Sequence, residues 1–314
     1  VCYLRMPQTN IRRVRQYCHT FLKQQFLNWD FTREKLQKYI NLLLLYFWLD
    51  MGWKPTQLRN IGLVLDYWCN EWEYQGNTLS YISVKETKRN SRASDIKDFI
   101  SKKVRVIIVN PVDSAGIAPS VAAAKKAGIT VISLDRTVIG ESVASQIASD
   151  NVSGGKIAGS YLLKLVGENA DIAELQGSQG SSGTIDRNKG FHEAVDGKAN
   201  VVASVTANFK REEGRIATEN ILRANPNIKG IFAHNDEMAL GAVDAVSAAG
   251  KDIVIVGFDA IDDALAAVKE GRMAATVAQM PAKMGKTAVQ TAIKLMNGEK
   301  VPSSIPITVM LITK

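Results

Sequence analysis

The run Gly128-Ile-Thr-Val-Ile-Ser-Leu-Asp135-Arg136 is largely apolar and β-branched until it stops at a carboxylate and a guanidinium. Such a run, apolar on both faces, marks a strand buried inside a parallel sheet. The arrangement recurs. Val104–Val109 ends at Asn110, Asp171–Leu175 at Gln176, Lys229–His234 at Asn235 and Asp252–Phe258 at Asp259. Amphipathic stretches of helical length separate these runs. Strands alternating with helices imply an α/β fold of mostly parallel sheets with right-handed crossovers. Ligands of such folds sit beyond the carboxyl ends of the strands, where these polar residues would stand.

The spacing predicts helices over 93–103, 118–127, 153–166, 184–195, 212–224, 237–249, 262–270 and 282–296. Strands are expected at 61–65, 79–84, 104–109, 129–134, 171–175, 201–206, 230–233, 253–257, 274–278 and in one run near 307–312. Nearly ten strands are too many for one comfortable open sheet, so two lobes are expected. Only Asp66–Thr78 separates the first two strands, the bare minimum for a parallel crossover. The basic stretch Lys85–Arg92 reads as a solvated loop.

Charge sets the N-terminal part aside. The chain carries a formal +8 over 314 residues. Residues 1–60 hold ten Lys/Arg against Asp30, Glu34 and Asp50, so the basic character belongs to that segment. A nucleic-acid reading could rest only there. The run Leu42–Leu49 falls short of the ~20 apolar residues that a membrane-spanning helix needs. It reads as a buried helix of a small N-terminal unit or as a misplaced export signal. Cys2, Cys18 and Cys69 form no C-x-x-C pair, and His19, His192 and His234 are too scattered for a zinc site, so no metal or other cofactor is expected.

Neither the glycine-rich stretch 177–183 nor Gly154-Gly155-Lys156 has the spacing of a phosphate-binding loop, and they read as a loop and a helix entry. His192 is expected half exposed on a helix, and His234 inward in the core. The polar strand ends Asn110, Asp135, Arg136, Asn235 and Asp259, with Arg187 and Gln279, include no nucleophile and no obvious general base. Carboxylates accept from paired hydroxyls, while guanidinium forks and amides donate to ring oxygens. That set suits a neutral polyhydroxylated molecule, with Trp72 and Phe209 as candidate aromatic covers. Each Asp or Asn taken alone also reads as a helix cap, as in Asn235-Asp236-Glu237.

From about residue 61 to 314 the chain resembles the periplasmic ribose-binding proteins, in the pentose/hexose-binding family of ABC-transporter receptors. The stretches that carry this are Val109-Asn-Pro-Val-Asp113, Val131-Ile-Ser-Leu-Asp-Arg136, Ile147-Ala-Ser-Asp-Asn151 with Gly154-Gly-Lys-Ile-Ala-Gly159, Glu174-Leu-Gln-Gly177, Ala233-His-Asn-Asp-Glu-Met-Ala-Leu-Gly241, Val256-Gly-Phe-Asp259 and Gln279. The resemblance implies two Rossmann-like lobes with parallel sheets joined by a hinge of three crossings, a type I periplasmic-binding-protein fold. A basic N-terminal segment, expected to be helical, precedes it. Residues 61–149 with 280–308 would form one lobe, and 150–279 with 309–314 the other. Sugar contacts fall on Asn110, Asp135, Arg136, Arg187, Phe209, Asn235, Asp259 and Gln279. In the family a Ser and an Asn-Pro-Phe-Phe run follow the first strand. Here Asn70 meets the Asn and Trp72 the first Phe, and the Pro and second Phe are lost.

These readings imply a non-enzymatic receptor that is periplasmic or anchored at the cell surface. It would bind ribose or a close relative as a monomer and deliver it to a membrane permease, with a chemoreceptor as a further candidate partner. The competing reading is a sugar-responsive transcription regulator of the lactose-repressor type, whose DNA-binding segment would be residues 1–60. No turn with a recognition helix is evident there, and nucleic acid is not expected as a partner.

Overall fold

The computed structural model describes residues 79–81 and 91–314. The expectations for residues 1–60, for a first strand at 61–65 and for Asn70 and Trp72 as ligand contacts lie outside the described residues. The described chain runs β1 (Leu79–Tyr81), α1 (Ser91–Ser101), β2 (Val106–Val109), α2 (Ala118–Lys126), β3 (Thr130–Leu134), β4 (Ser145–Ser149), α3 (Asn151–Val166), β5 (Asp171–Gln176) and α4 (Ser182–Val195). It continues β6 (Asn200–Thr206), α5 (Arg211–Ala224), β7 (Gly230–Ala233), α6 (Asp236–Ala248), β8 (Val254–Asp259), α7 (Asp262–Glu270), β9 (Ala275–Ala278), α8 (Pro281–Met296), β10 (Ser304–Ile307) and β11 (Met310–Thr313).

The strands form two sheets, ordered β1-β2-β3-β4-β10 and β11-β9-β8-β7-β5-β6. The first is parallel throughout; in the second only β11 runs antiparallel, against β9. Both faces of each sheet are covered. In the first, Ile107, Val109 and Val131 pack on one side and Val106, Ile108 and Ile132 on the other with α8. In the second, Leu175, Ile231 and Ile255 pack on one side and Ile172, Phe232 and Val256 on the other. Burial on both faces is why these strands read as unbroken apolar runs. The chain passes between the sheets three times, after Ser149, after Ala278 and after Ile307.

Two expectations need correction, and one strand, β4, is not predicted by the sequence pattern. The run near 307–312 is two strands: β10 pairs with β4 in the first sheet, and β11 with β9 in the second. Apolar continuity does not reveal that the chain changes sheets between them. β4 carries no long apolar run; its buried and half-buried residues alternate, with Ser145 and Ser149 turned inward. Those hydroxyls are satisfied at Pro302 O and Gln279 Oε1. Ser91 and Arg92, read as loop, belong to α1.

Gly154-Gly155-Lys156 has a packing role. A Cβ on Gly155 would lie 2.2 Å from the carbonyl oxygen of Arg187, and one on Gly190 would lie 2.0 Å from that of Val152. Helices α3 and α4 therefore touch backbone to backbone, a closeness only glycine allows. Gly241 serves the α5–α6 pair likewise, its Cβ position lying 2.0 Å from Arg211 O.

Candidate functional site

The carboxyl ends of β3, β8 and β9 and the starts of α3, α4 and α6 surround one cavity of about 230 Å³. Its walls are Asp135, Arg136, Asn151, Ser181, Gly183, Arg187, Phe209, Asn235, Asp259 and Gln279. Seven of the residues singled out from sequence thus meet in one place. Asn110 is one bond behind them, its Nδ2 donating to Asp135 Oδ2 at 3.0 Å. Asn151 and Ser181 were missed. Asn151 is a strand-end amide like Asn110, and reading β4 as a strand would have found it. Nothing local to Ser181 marks it.

Arg187 is the best-held group. It is only 5% exposed. Its Nε donates to Asn151 Oδ1 at 2.9 Å, one Nη donates to the His234 carbonyl, and the same nitrogen lies 3.6 Å from Asp259 Oδ1. Its guanidinium carbon sits 3.7 Å from the centroid of the Phe258 ring. Gln279 links two crossings: its Nε2 donates to Asp259 Oδ1 at 2.6 Å, and its Oε1 accepts from Ser149 Oγ at 2.6 Å. Asn235 serves both readings made of it. Its Oδ1 caps α6 by accepting from Met238 N at 3.0 Å, while its Nδ2 donates to Phe209 O at 3.3 Å. His234 is fully buried, as expected, and His192 is half-buried on α4.

Three wall residues have left-handed backbone: Asp135 (φ 65°), Phe209 (φ 61°) and Asp259 (φ 125°). Non-glycine residues occupy that region at a cost and gather at functional sites. Phe209 also needs Gly177 behind it, because a Cβ there would come within 2.0 Å of its ring. This gives the 177–183 loop a packing role in the wall.

The two lobes touch beside the cavity. Ser182 Oγ accepts from Thr137 N at 2.9 Å, Ser114 N donates to Gly180 O at 2.9 Å, and Ser182 N donates to Ser114 Oγ at 3.1 Å. The first amide of α4 is thus capped from the opposite lobe. Ser181, the residue in the capping position, makes no side-chain cap.

Burial controls the acids. It pushes the Asp259 carboxyl up to about 6, although Arg187 and Gln279 pull it back. Asp236, behind the wall, is pushed up to about 7, first by burial and then by Asp259. Both folded values exceed the unfolded value near 3.8. The folded state then binds more protons than the unfolded chain, so stability falls as pH rises. For these two acids the window runs from about pH 4 to 7. The melting temperature of the empty protein is expected to fall by several degrees from pH 5 to pH 8 in a calorimetric scan series. The shift should diminish in Asp236→Asn.

The wall carries two carboxylates and two guanidiniums, so it selects for no net ligand charge. It is rich in donors and acceptors and too small for a drug-sized molecule, which needs roughly 300 Å³ or more. Fold and cavity together define a two-lobed solute-binding protein that encloses a small, polar, uncharged molecule.

A family model described as "Periplasmic binding protein domain" matches residues 68–300, and the chain belongs to that family. Its relatives place it in the pentose/hexose-binding group. It is 42% identical over 245 residues to the ribose import binding protein of Escherichia coli K12, covering 76% of this chain and 83% of the relative. It is 40% identical over 225 residues to that of Bacillus subtilis, covering 72% and 74%. An ABC-transporter periplasmic solute-binding protein from Actinobacillus succinogenes, solved with bound D-allose, superposes with a TM-score of 0.68 at 34% identity, covering 74% of this chain and 86% of that one. The family consists of solute-binding proteins rather than enzymes, and it acts in the periplasm. These relatives do not favour the transcription-regulator reading.

Proposed function

We propose that the chain binds one monosaccharide, ribose or a close relative, in the cavity between its lobes and presents it to the permease of an ABC transporter. The observation that carries this is the charge-balanced, monosaccharide-sized cavity of about 230 Å³ bounded by Asp135, Arg136, Arg187, Asp259 and Gln279. In this reading Asp135 and Asp259 accept from sugar hydroxyls. Arg136, Arg187, Asn110, Asn235 and Gln279 donate to sugar oxygens, and Phe209 covers the C–H face. Relatives named for ribose and a similar structure holding D-allose support a small aldose and leave several candidates. The lobes we propose are 61–149 with 280–308, and 150–279 with 309–314, with the receptor periplasmic or anchored at the cell surface.

Closure follows from additivity. Three hydrogen bonds between residues 114 or 137 and residues 180–182 join the lobes beside the cavity, and in this reading they form as the lobes close. A sugar that touches both lobes adds contacts to the closed state alone and shifts the equilibrium towards it. Calorimetric titration with D-ribose, D-allose, D-xylose and D-galactose tests the reading. One or two of these are expected to bind, with the heat lost in Arg136→Ala while the melting curve of the empty protein barely moves. No binding by any of the four would contradict the assignment.

A further inference from the structure

Glu174, on β5, is completely buried and is not part of the cavity wall. Its carboxylate accepts from His234 Nε2 at 2.7 Å, from Asn188 Nδ2 at 3.0 Å to each oxygen, from Gln176 Nε2 at 2.9 Å, and from Ser204 Oγ. Two of these donors stand next in sequence to wall residues: Asn188 follows Arg187, and His234 precedes Asn235. His234 has a second link, since its carbonyl accepts from Arg187. It also has a third: its Nδ1 accepts from Gly177 N at 3.4 Å, and Gly177 backs the Phe209 ring. Because Nδ1 accepts, Nε2 carries the proton and the ring is neutral. Burial holds the imidazole in that form.

An ionised carboxylate in a core is costly unless every lone pair is used. Here the donors, His234 first among them, are numerous enough to hold Glu174 below the usual carboxylate range against the upward push of burial. An apolar residue would fill the same space without the desolvation cost. The network has one distinctive geometry: it joins α4, the end of β7 and the 177 loop, which together carry Arg187, Asn235 and the support of Phe209.

We propose that Glu174 is a positioning residue of the binding site, a buried anchor that never meets the ligand and orients Arg187 and Asn235 through Asn188 and His234. The inference rests on the monosaccharide reading above for its ligand, and one of its readouts does not. Glu174→Gln keeps the shape and removes one acceptor oxygen. Its Kd for D-ribose is expected to rise ~10-fold or more, the scale seen when outer-shell partners of a bound group are lost. The increase should not sum with that of Arg187→Lys, since both act through one guanidinium. Ile221→Val, a core change in α5 away from the network, should leave Kd within about twofold. An unchanged Kd in Glu174→Gln, or losses that add, would overturn the proposal. If Glu174→Gln fails to fold, Ser204→Ala removes one outer donor and should still weaken binding a few-fold, and unchanged affinity there overturns it too. The ligand-free readout is the Nε–H resonance of Arg187 by NMR, which should move in Glu174→Gln. If the wild-type chain takes up no monosaccharide, the functional reading fails alone. The resonance then decides the positioning role, and an unmoved signal ends it.

Discussion

Arg187→Ala is expected to abolish measurable monosaccharide binding and also to lower the melting temperature of the empty protein. The guanidinium is buried between Asn151, the His234 carbonyl, Asp259 and the Phe258 ring. Truncating one member of a buried, hydrogen-bonded charge pair costs about 2–5 kcal/mol, or ~30- to several-thousand-fold in Kd. Asp259, already raised to about 6, loses its nearest cation and should rise further. Burying that carboxyl without its partner is the source of the stability loss. Arg187→Met separates packing from charge. It refills most of the space, so it should recover part of the melting temperature and none of the binding. Recovery of binding in Arg187→Met would show that the guanidinium is only a spacer. Arg136 offers the contrast. It is half-buried and held by a 3.5 Å contact to Pro111 O, with its guanidinium 5.6 Å from the Phe209 centroid, so its loss should touch binding alone.

Gly190→Ala is expected to destabilise the second lobe strongly, while Gly285→Ala on α8 stabilises slightly. In an open helix position, replacing glycine by alanine gains about 1 kcal/mol. Gly285 is such a position, with nothing within 4 Å of an added Cβ. At Gly190 the added Cβ would meet Val152 O at 2.0 Å and Lys156 N at 2.9 Å, both backbone atoms of α3. Backbone cannot turn aside as a side chain can. The helices must part, at a cost of ~3 kcal/mol or more, which outweighs the propensity gain. Melting temperature should fall by roughly 5–10 °C at that cost. Binding should weaken too, because Arg187 lies one turn before Gly190 on α4. A Gly190→Ala melting temperature equal to wild type would contradict the backbone contact between α3 and α4.

Much of this was legible in the sequence, for identifiable reasons. Strands such as Thr130–Leu134 are covered on both faces, so their runs are apolar throughout and their polar ends stand out. That is why Asp135, Arg136, Asn235 and Asp259 stand out in the sequence itself, and all of them line one cavity. β4 is not legible because two of its three inward residues are serines, satisfied by partners 130 and 157 positions away. The change of sheet between Ile307 and Met310 leaves no compositional mark. Gly155 and Gly190 could be recognised as glycines, but their role depends on which helices meet. The Glu174 network was hidden for the same reason, since its donors come from three elements spread over sixty residues. Local pattern reveals elements and their ends; contacts made at long range do not appear in it.

In the proposed function one sugar is held between the lobes by the residues at these strand ends. Titration calorimetry of the full chain with D-ribose, beside Asp135→Ala, tests it most directly. Saturable binding of one sugar per chain is expected, absent in Asp135→Ala although that variant melts within a few degrees of wild type. Binding that survives unchanged in Asp135→Ala, or a stoichiometry other than one, would contradict it.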